Sequence, residues 1–227
     1  MPVNVIVIGG LAALIVLGPG DRPQTCERPV ISQAATVQAV RSYFRKRGRT
    51  VATFVGYSGA EYEDKVAMLA RAATVLDALD PKQTIVNIGA TADGIGAVYD
   101  IARQKGFETT GIVSTQARDT NATLAPCVGT VFFIRDASWG GVLKGTKKLS
   151  PTSMAMVSAS DHVIAIGGGE VAQDEFQAAR GLGKKTRFFP ADMNHAIAIS
   201  RAARNGQPPP TDFRGALGAA MGPSGSR

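Results

Sequence analysis

Apolar residues along this chain follow two rhythms that take turns. Short, nearly unbroken runs rich in β-branched residues are TVATFV (Thr50–Val55), TIVNI (Thr84–Ile88), TTGIVS (Thr109–Ser114), TVFFI (Thr130–Ile134), HVIAI (His162–Ile166) and TRFF (Thr186–Phe189). Runs of this kind predict strands buried on both faces. Between them, apolar positions recur every three or four residues, the period of a helix with one buried face. Ser32 to Arg47 reads as one such helix, with Val37, Val40, Tyr43 and Phe44 on a face, Ser32 as N-cap and Gly48 as stop. Glu61 to Leu79, Ala97 to Gln104, a short Thr152 to Ser158 and Glu170 to Arg180 read likewise. Strands that alternate with helices predict an α/β fold: a doubly wound, mostly parallel Rossmann-like sheet with helices on both faces.

The ends of the chain lack this rhythm. Residues 1–20 form a hydrophobic N-terminal segment, 21–49 a linker and the first helix, 50–206 the Rossmann-like nucleotide-binding domain, and 207–227 a Pro-, Gly- and Ala-rich stretch that reads as a flexible tail. The apolar run Val3–Leu17 is shorter than the roughly 20 residues needed to cross a bilayer upright. No Lys or Arg precedes it, so it lacks the charged start of a signal peptide. It fits a membrane anchor, a buried strand or a non-native extension from an early start codon. Arg22, Arg28, Arg41, Arg45 and Lys46 follow it, which for an anchor would put the domain on the cytoplasmic side. The chain is therefore read as cytoplasmic, either free or tethered to the inner face of the membrane through residues 3–17.

Composition adds bounds. The chain has 227 residues, of which 44% are hydrophobic and 19% charged, enough for one sizeable core. Its net charge of +7 is concentrated in the block Arg41–Arg49. Such a block is more often a solvated face or a phosphate-facing anchor than a reader of nucleic acid, so nucleic acid is the minor reading. Cys26, Cys127, His162 and His195 have no metal-ligand spacing, so neither a metal nor a cofactor is expected. The two cysteines read as free thiols in a reducing compartment, with a disulfide allowed but not implied.

The candidate chemistry lies where strands run into helices. Ligands of open parallel sheets sit at the carboxyl ends of the strands. Three glycine-bearing turns fall there: Gly56-Tyr57-Ser58-Gly59, Gly89 to Gly96, and Gly167-Gly168-Gly169. Glycine lets the backbone approach a ligand closely, and the N–H groups of the following helix attract phosphate. The ligand-binding candidates are Gly56, Ser58, Gly89, Ala90, Thr91, Gly94, Gly167, Gly168, Gly169 and Glu170, with a nucleotide or another phosphorylated small molecule as partner. Glu170 at a helix start is also explained by the helix dipole, whereas Asp174 and Glu175 lie a turn further in.

The order and spacing of these turns resemble the LONELY GUY (cytokinin-activating phosphoribohydrolase, lysine-decarboxylase-like) family, within a wider superfamily of Rossmann-like nucleotide and ligand sensors. The resemblance covers roughly Thr50 to Asp192. TFVGYSGAEYED, Thr53 to Asp64, is similar to the family's first strand, turn and tyrosine-led helix. IVNIGATADGIGAVYDIARQKGFETTGIV, Ile85 to Val113, is similar to its second unit. SDHVIAIGGGEVAQDE, Ser160 to Glu175, stands at the hallmark P-G-G-x-G-T-x-x-E, with Gly168 and Gly169 as the paired glycines and Glu175 as the closing glutamate. The resemblance implies Glu175, with Asp174 beside it, as catalytic carboxylates acting on the N-glycosidic bond of a nucleoside 5'-monophosphate, and a homodimer whose sites are completed across the interface.

The departures are specific. Gly167 replaces the proline, and Val171-Ala172 replace the second Gly-Thr. The stretch matching the family's catalytic arginine is Ser150-Pro151-Thr152-Ser153, without an arginine. The preceding segment SWGGVLKGTKKLSPTS, Ser138 to Ser153, is longer than the family's. It reads either as a remodelled phosphate loop with Lys144, Lys147, Ser150, Thr152 and Ser153 as donors, or as a mobile surface loop. Trp139 is either a base-stacking or a packing residue. These readings leave a non-catalytic ligand binder or sensor first, a phosphoribohydrolase with a rearranged site second, and single-stranded DNA binding third.

Overall fold

A computed structural model describes Cys26 and residues 29–222. Residues 3–17 lie outside that range, as do the last five residues of the tail. Seven parallel strands make one sheet in the order β1-β5-β4-β3-β2-β6-β7. These are β1 (Val30–Ala35), β2 (Thr50–Gly56), β3 (Thr84–Ile88), β4 (Glu108–Ser114), β5 (Thr130–Ile134), β6 (His162–Ile166) and β7 (Lys185–Phe189). The helices are α1 (Val37–Arg47), α2 (Lys65–Asp77), α3 (Val98–Gln104), α4 (Gln116–Asp119), α5 (Pro151–Ala159), α6 (Glu170–Gly181), α7 (His195–Arg204) and α8 (Gly215–Met221). The chain is an α/β, Rossmann-like fold. Among the described residues, no helix is long and apolar enough to cross a membrane.

The two-residue period of the strands sorts their side chains between two helical layers. Ala52 and Phe54 of β2, with Ile164 and Ile166 of β6, pack with α2 and α3 through Met68, Ala72, Leu76, Val98 and Tyr99. Val51 and Val55, with Val163 and Ala165, face the opposite layer of α1, α5 and α6. That second face carries a polar line through the sheet centre. Asn87 donates to Thr53 Oγ1 at 3.2 Å, Thr110 Oγ1 donates to Asn87 Oδ1 at 3.0 Å, and the Thr53 and Ser160 hydroxyls lie 2.6 Å apart. Each of these groups is fully or almost fully buried and partnered, which avoids the desolvation cost of a lone polar atom.

Two features of the N-terminal half differ from the sequence expectation. Ser32 does not cap a helix; it belongs to β1, an edge strand paired with β5. The cap is Thr36, whose side chain accepts from Ala39 N at 3.1 Å. The partner of β1 lies about a hundred residues on in the chain, so local pattern alone does not reveal it. Cys26 and Cys127 are joined as a disulfide, with Cα atoms 4.9 Å apart, and are not free thiols. The bond ties the segment before β1 to the loop before β5.

The C-terminal stretch is also built into the fold. Residues 215–221 form α8, with Leu217 fully buried against Phe176 and Phe188. Its composition is Gly- and Ala-rich because it packs closely: a Cβ on Gly215 would lie 2.5 Å from Gly168 O.

Candidate functional site

The crossover from β5 to β6 passes over the centre of the sheet, so β2 has β3 on one side and β6 on the other. The carboxyl ends of β2 and β6 form the switch point where such sheets place ligands. Gly56 closes β2 there, because a Cβ would lie 2.0 Å from Tyr62 Oη. Tyr62 donates to Ile166 O at 2.8 Å and accepts from Tyr57 N at 3.1 Å, so it stitches the two strand ends together. Tyr57 in turn donates to Ala191 O at 3.0 Å. Burial pushes the Tyr57 hydroxyl up to about 12, which keeps it a neutral donor.

The first turn holds the other two. Gly94 has φ +56, and a Cβ there would lie 2.2 Å from Tyr57 O, so only glycine allows this approach. Ile95 N donates to Tyr57 O at 2.8 Å, and the Ser58 and Thr91 hydroxyls lie 3.3 Å apart. Gly94 N donates to Glu61 Oε1 at 3.0 Å, and Ala90 is fully buried with its carbonyl accepting from Ala125 N. The Gly89–Gly96 turn is therefore largely self-satisfied, with Gly89 and Thr91 half-buried. On the other side, Gly167 lies against the Tyr57 ring, with a Cβ position 2.5 Å from Cε2.

The third turn has a different hydrogen-bond pattern. Gly167 and Gly168 take φ +57 and +138 before α6 begins. Gly169 is the N-cap in extended conformation, and no side chain caps the helix. Among the described residues, the N–H groups of Glu170, Val171 and Ala172 meet no acceptor, and the first helical bond is Gln173 N to Gly169 O. Aligned N–H groups of this kind carry the positive end of the helix dipole. Leu217 N donates to Gly168 O at 3.0 Å, so α8 buttresses the turn from behind.

Glu175 and Asp174 sit under the long segment. Glu175 is 5% exposed and accepts from Ser153 Oγ at 2.7 Å. Ser153 Oγ also accepts from Gly141 N at 2.7 Å, and Val142 N donates to Asp174 Oδ2 at 2.7 Å. Burial pushes Glu175 up to about 7; the neighbouring Asp174 charge adds to this and the Ser153 bond opposes it. Gly140 and Gly141, at φ +126 and +78, let the segment lie close over these side chains and Val171. The segment beyond folds as a short hairpin, with Leu143 N donating to Lys148 O at 2.8 Å and Trp139 half exposed.

The sequence candidates thus divide. Gly167–Gly169 and Glu170 are gathered at the α6 start, and the Ser58 and Thr91 hydroxyls meet between the first two turns. Ser150, Thr152 and Ser153 instead serve α5. Ser150 caps that helix, and Thr152 N donates to Asp136 Oδ2 at 2.9 Å. Asp136 also accepts from Ser138 N and Oγ at 2.9 and 2.8 Å. Burial opposes ionisation of Asp136, but these bonds outweigh it and hold its carboxyl below the ordinary value. Asp136 and Tyr62 organise the region; Tyr62 lies in the TFVGYSGAEYED stretch, whereas for Asp136 an Asp two residues before a Ser at a strand exit is the only hint.

No protein-family model matches the chain, and no curated protein matches it in sequence. Among solved structures, its backbone is similar to that of the structural-genomics target TM1055, with 21% identity and a TM-score of 0.44, over 60% of this chain and 72% of the other. It is also similar to two structures of the molybdenum cofactor carrier protein of Chlamydomonas reinhardtii. These have 14% and 13% identity and TM-scores of 0.46 and 0.45, each over 76% of this chain and 96% of that one. Likeness at this level concerns the path of the backbone and says nothing of ligand or chemistry.

Proposed function

We propose that the chain binds a nucleotide or a related phosphate-bearing small molecule at the amino end of α6, and that it does so as a ligand binder or sensor without hydrolysis. The observation that carries this reading is the run of N–H groups at Glu170, Val171 and Ala172, without acceptors among the described residues, behind two glycines in positive φ. A phosphate there gains charge-assisted hydrogen bonds and the helix dipole, together worth a few kcal/mol. Ser58 and Thr91, at the neighbouring turns, supply hydroxyls for the rest of the ligand.

The non-catalytic form is favoured by the state of Glu175. A carboxylate that stabilises positive charge at a ribosyl carbon must be ionised and must face that carbon. Glu175 is buried under Gly140 and Gly141, already bonded to Ser153, and pushed up to about 7. No cation stands in the Ser150–Ser153 stretch. Calorimetry with a panel of nucleoside monophosphates, with chromatography of the same samples, tests the reading. Saturable binding without release of free base is expected. Turnover that disappears in Glu175→Ala would overturn it in favour of a phosphoribohydrolase.

A further inference from the structure

The basic block that the sequence singles out lies at the opposite end of the sheet. Arg41 and Arg45, four residues apart on α1, stand on one helix face with Phe44, and Arg49 opens the approach to β2. With Ser158 of α5 and Asp161 they line a cavity of ≈270 Å³. Asp161 precedes β6, and Val51 lies at the start of β2. The cavity is therefore separated from the glycine turns by the length of the strands, roughly 17 Å at about 3.3 Å per residue.

The charges here are only partly balanced by their neighbours. Glu108 accepts from Arg47 Nε at 2.7 Å and from Arg49 at 2.5 Å through one terminal nitrogen. That leaves Arg49 Nε buried without an acceptor among the described residues. Arg41 and Arg45 form no ion pair among the described residues. Asp161 spends Oδ2 on Val51 N at 2.8 Å. The lining thus holds two guanidinium groups without an ion pair among the described residues, and a third that shares Glu108 with Arg47, against one half-committed carboxylate. Compensation of the α1 dipole explains Arg45, in the last turn, but not Arg41, a turn earlier, nor Arg49, beyond the helix.

We infer that this cavity is a second anion site, for a phosphate dianion either free or as the head of a small ester. Guanidinium groups that line one cavity, two from α1 and one from the residue before β2, suit the several oxygens of a phosphate, and the unused Asp161 oxygen accepts a hydroxyl of an ester. The cavity lies below the usual 300–1,000 Å³ of sites for larger ligands, which fits a small phosphate. The inference is independent of the reading of α6.

The test is a titration of the ¹⁵N-labelled protein with inorganic phosphate and, separately, glycerol phosphate, each against chloride at equal ionic strength. Saturable shifts of the Gly48 and Ser158 amides are expected with phosphate and not with chloride. In the Arg41→Gln/Arg45→Gln double variant the affinity read at these amides falls at least tenfold, while any response at Gly169 is unchanged. Both arginines are exposed, so the variant keeps its fold. Tighter binding of glycerol phosphate assigns the site to esters, and equal binding to free phosphate. Shifts confined to Gly169 and Glu170, equal shifts with chloride, or shifts unaltered in the double variant would overturn the inference.

Discussion

Helices α5 and α6 both follow strands of the central sheet, pack side by side and start near the long Ser138–Ser153 segment, yet their amino ends are finished in opposite ways. At α5 the protein supplies its own anion: Asp136 takes the Thr152 N–H while Ser150 takes that of Ser153. At α6 the corresponding groups meet no side chain, and the cap is a glycine. Helix ends demand acceptors, supplied by side chains, water or a ligand. The fold spends a carboxylate, a serine cap and Pro151 on one helix and only glycines on its neighbour, whose first residues Glu170 and Val171 are exposed. This contrast carries the proposal that α6 receives a phosphate.

The contrast is open to breakage from either side. The largest effect is expected at the closed end. Asp136→Ala removes the acceptor of the buried Thr152 N–H and of the part-buried Ser138 N–H and hydroxyl, and should cost about 3 kcal/mol in urea unfolding. A loss under about 1 kcal/mol would mean that Asp136 is not the anchor of α5. Leu217→Ala attacks the buttress of the open end: deleting a fully buried leucine from a short helix should cost roughly 2–3 kcal/mol and loosen the Gly168 turn, seen as faster amide exchange at Glu170 and Val171.

A pH effect of similar or smaller size is expected between the two helices. Glu175 holds its proton up to about 7 when folded and gives it up near 4.5 when unfolded. Between these values the unfolded state binds fewer protons, so stability falls as pH rises, by up to roughly 3 kcal/mol. Glu175→Gln keeps an acceptor for Ser153, should remove that slope, and should be the more stable form at pH 8. A slope that survives in the variant would assign it to other groups. The smallest effect on stability belongs to Gly169→Asp. Gly169 is extended and nothing lies within 4 Å of a Cβ, so the side chain fits and caps α6 as Ser150 caps α5. A gain of about 0.5–1 kcal/mol is expected, since glycine is already a fair N-cap and the dipole adds to the carboxylate.

The sequence carries the sheet well and the site only in outline. β2 to β6 are short, nearly unbroken apolar runs, so burial on both faces is visible in one dimension; β7 departs from that expectation, because it is an edge strand with Lys185 and Arg187 exposed and only Phe188 and Phe189 buried. β1 is not visible in this way: its partner is distant in sequence, and Ser32 imitates a helix cap. α7 buries no side chain completely and α8 is mostly Gly and Ala, so neither announces itself; the docking of Leu217 on Phe176 and Phe188 makes α8. The glycine turns are legible as turns, but at Gly56, Gly94 and Gly167 the glycine makes room for Tyr57 and Tyr62. Which N–H groups those turns leave open is not legible, because the answer depends on Glu61, Asp136 and Ser153 arriving from elsewhere in the chain. The same polar triplet, Ser150, Thr152 and Ser153, suits a phosphate loop or a self-capped helix, and only the position of Asp136 separates the two.

The most direct measurement follows the amides of Glu170, Val171 and Ala172 while AMP is added to the wild type and to Gly169→Asp. Saturable downfield shifts in the wild type, abolished in a variant at least as stable, are the predicted result. Shifts absent from the wild type, or retained once the new carboxylate caps the helix, would contradict the claim that α6 is left open for a phosphate.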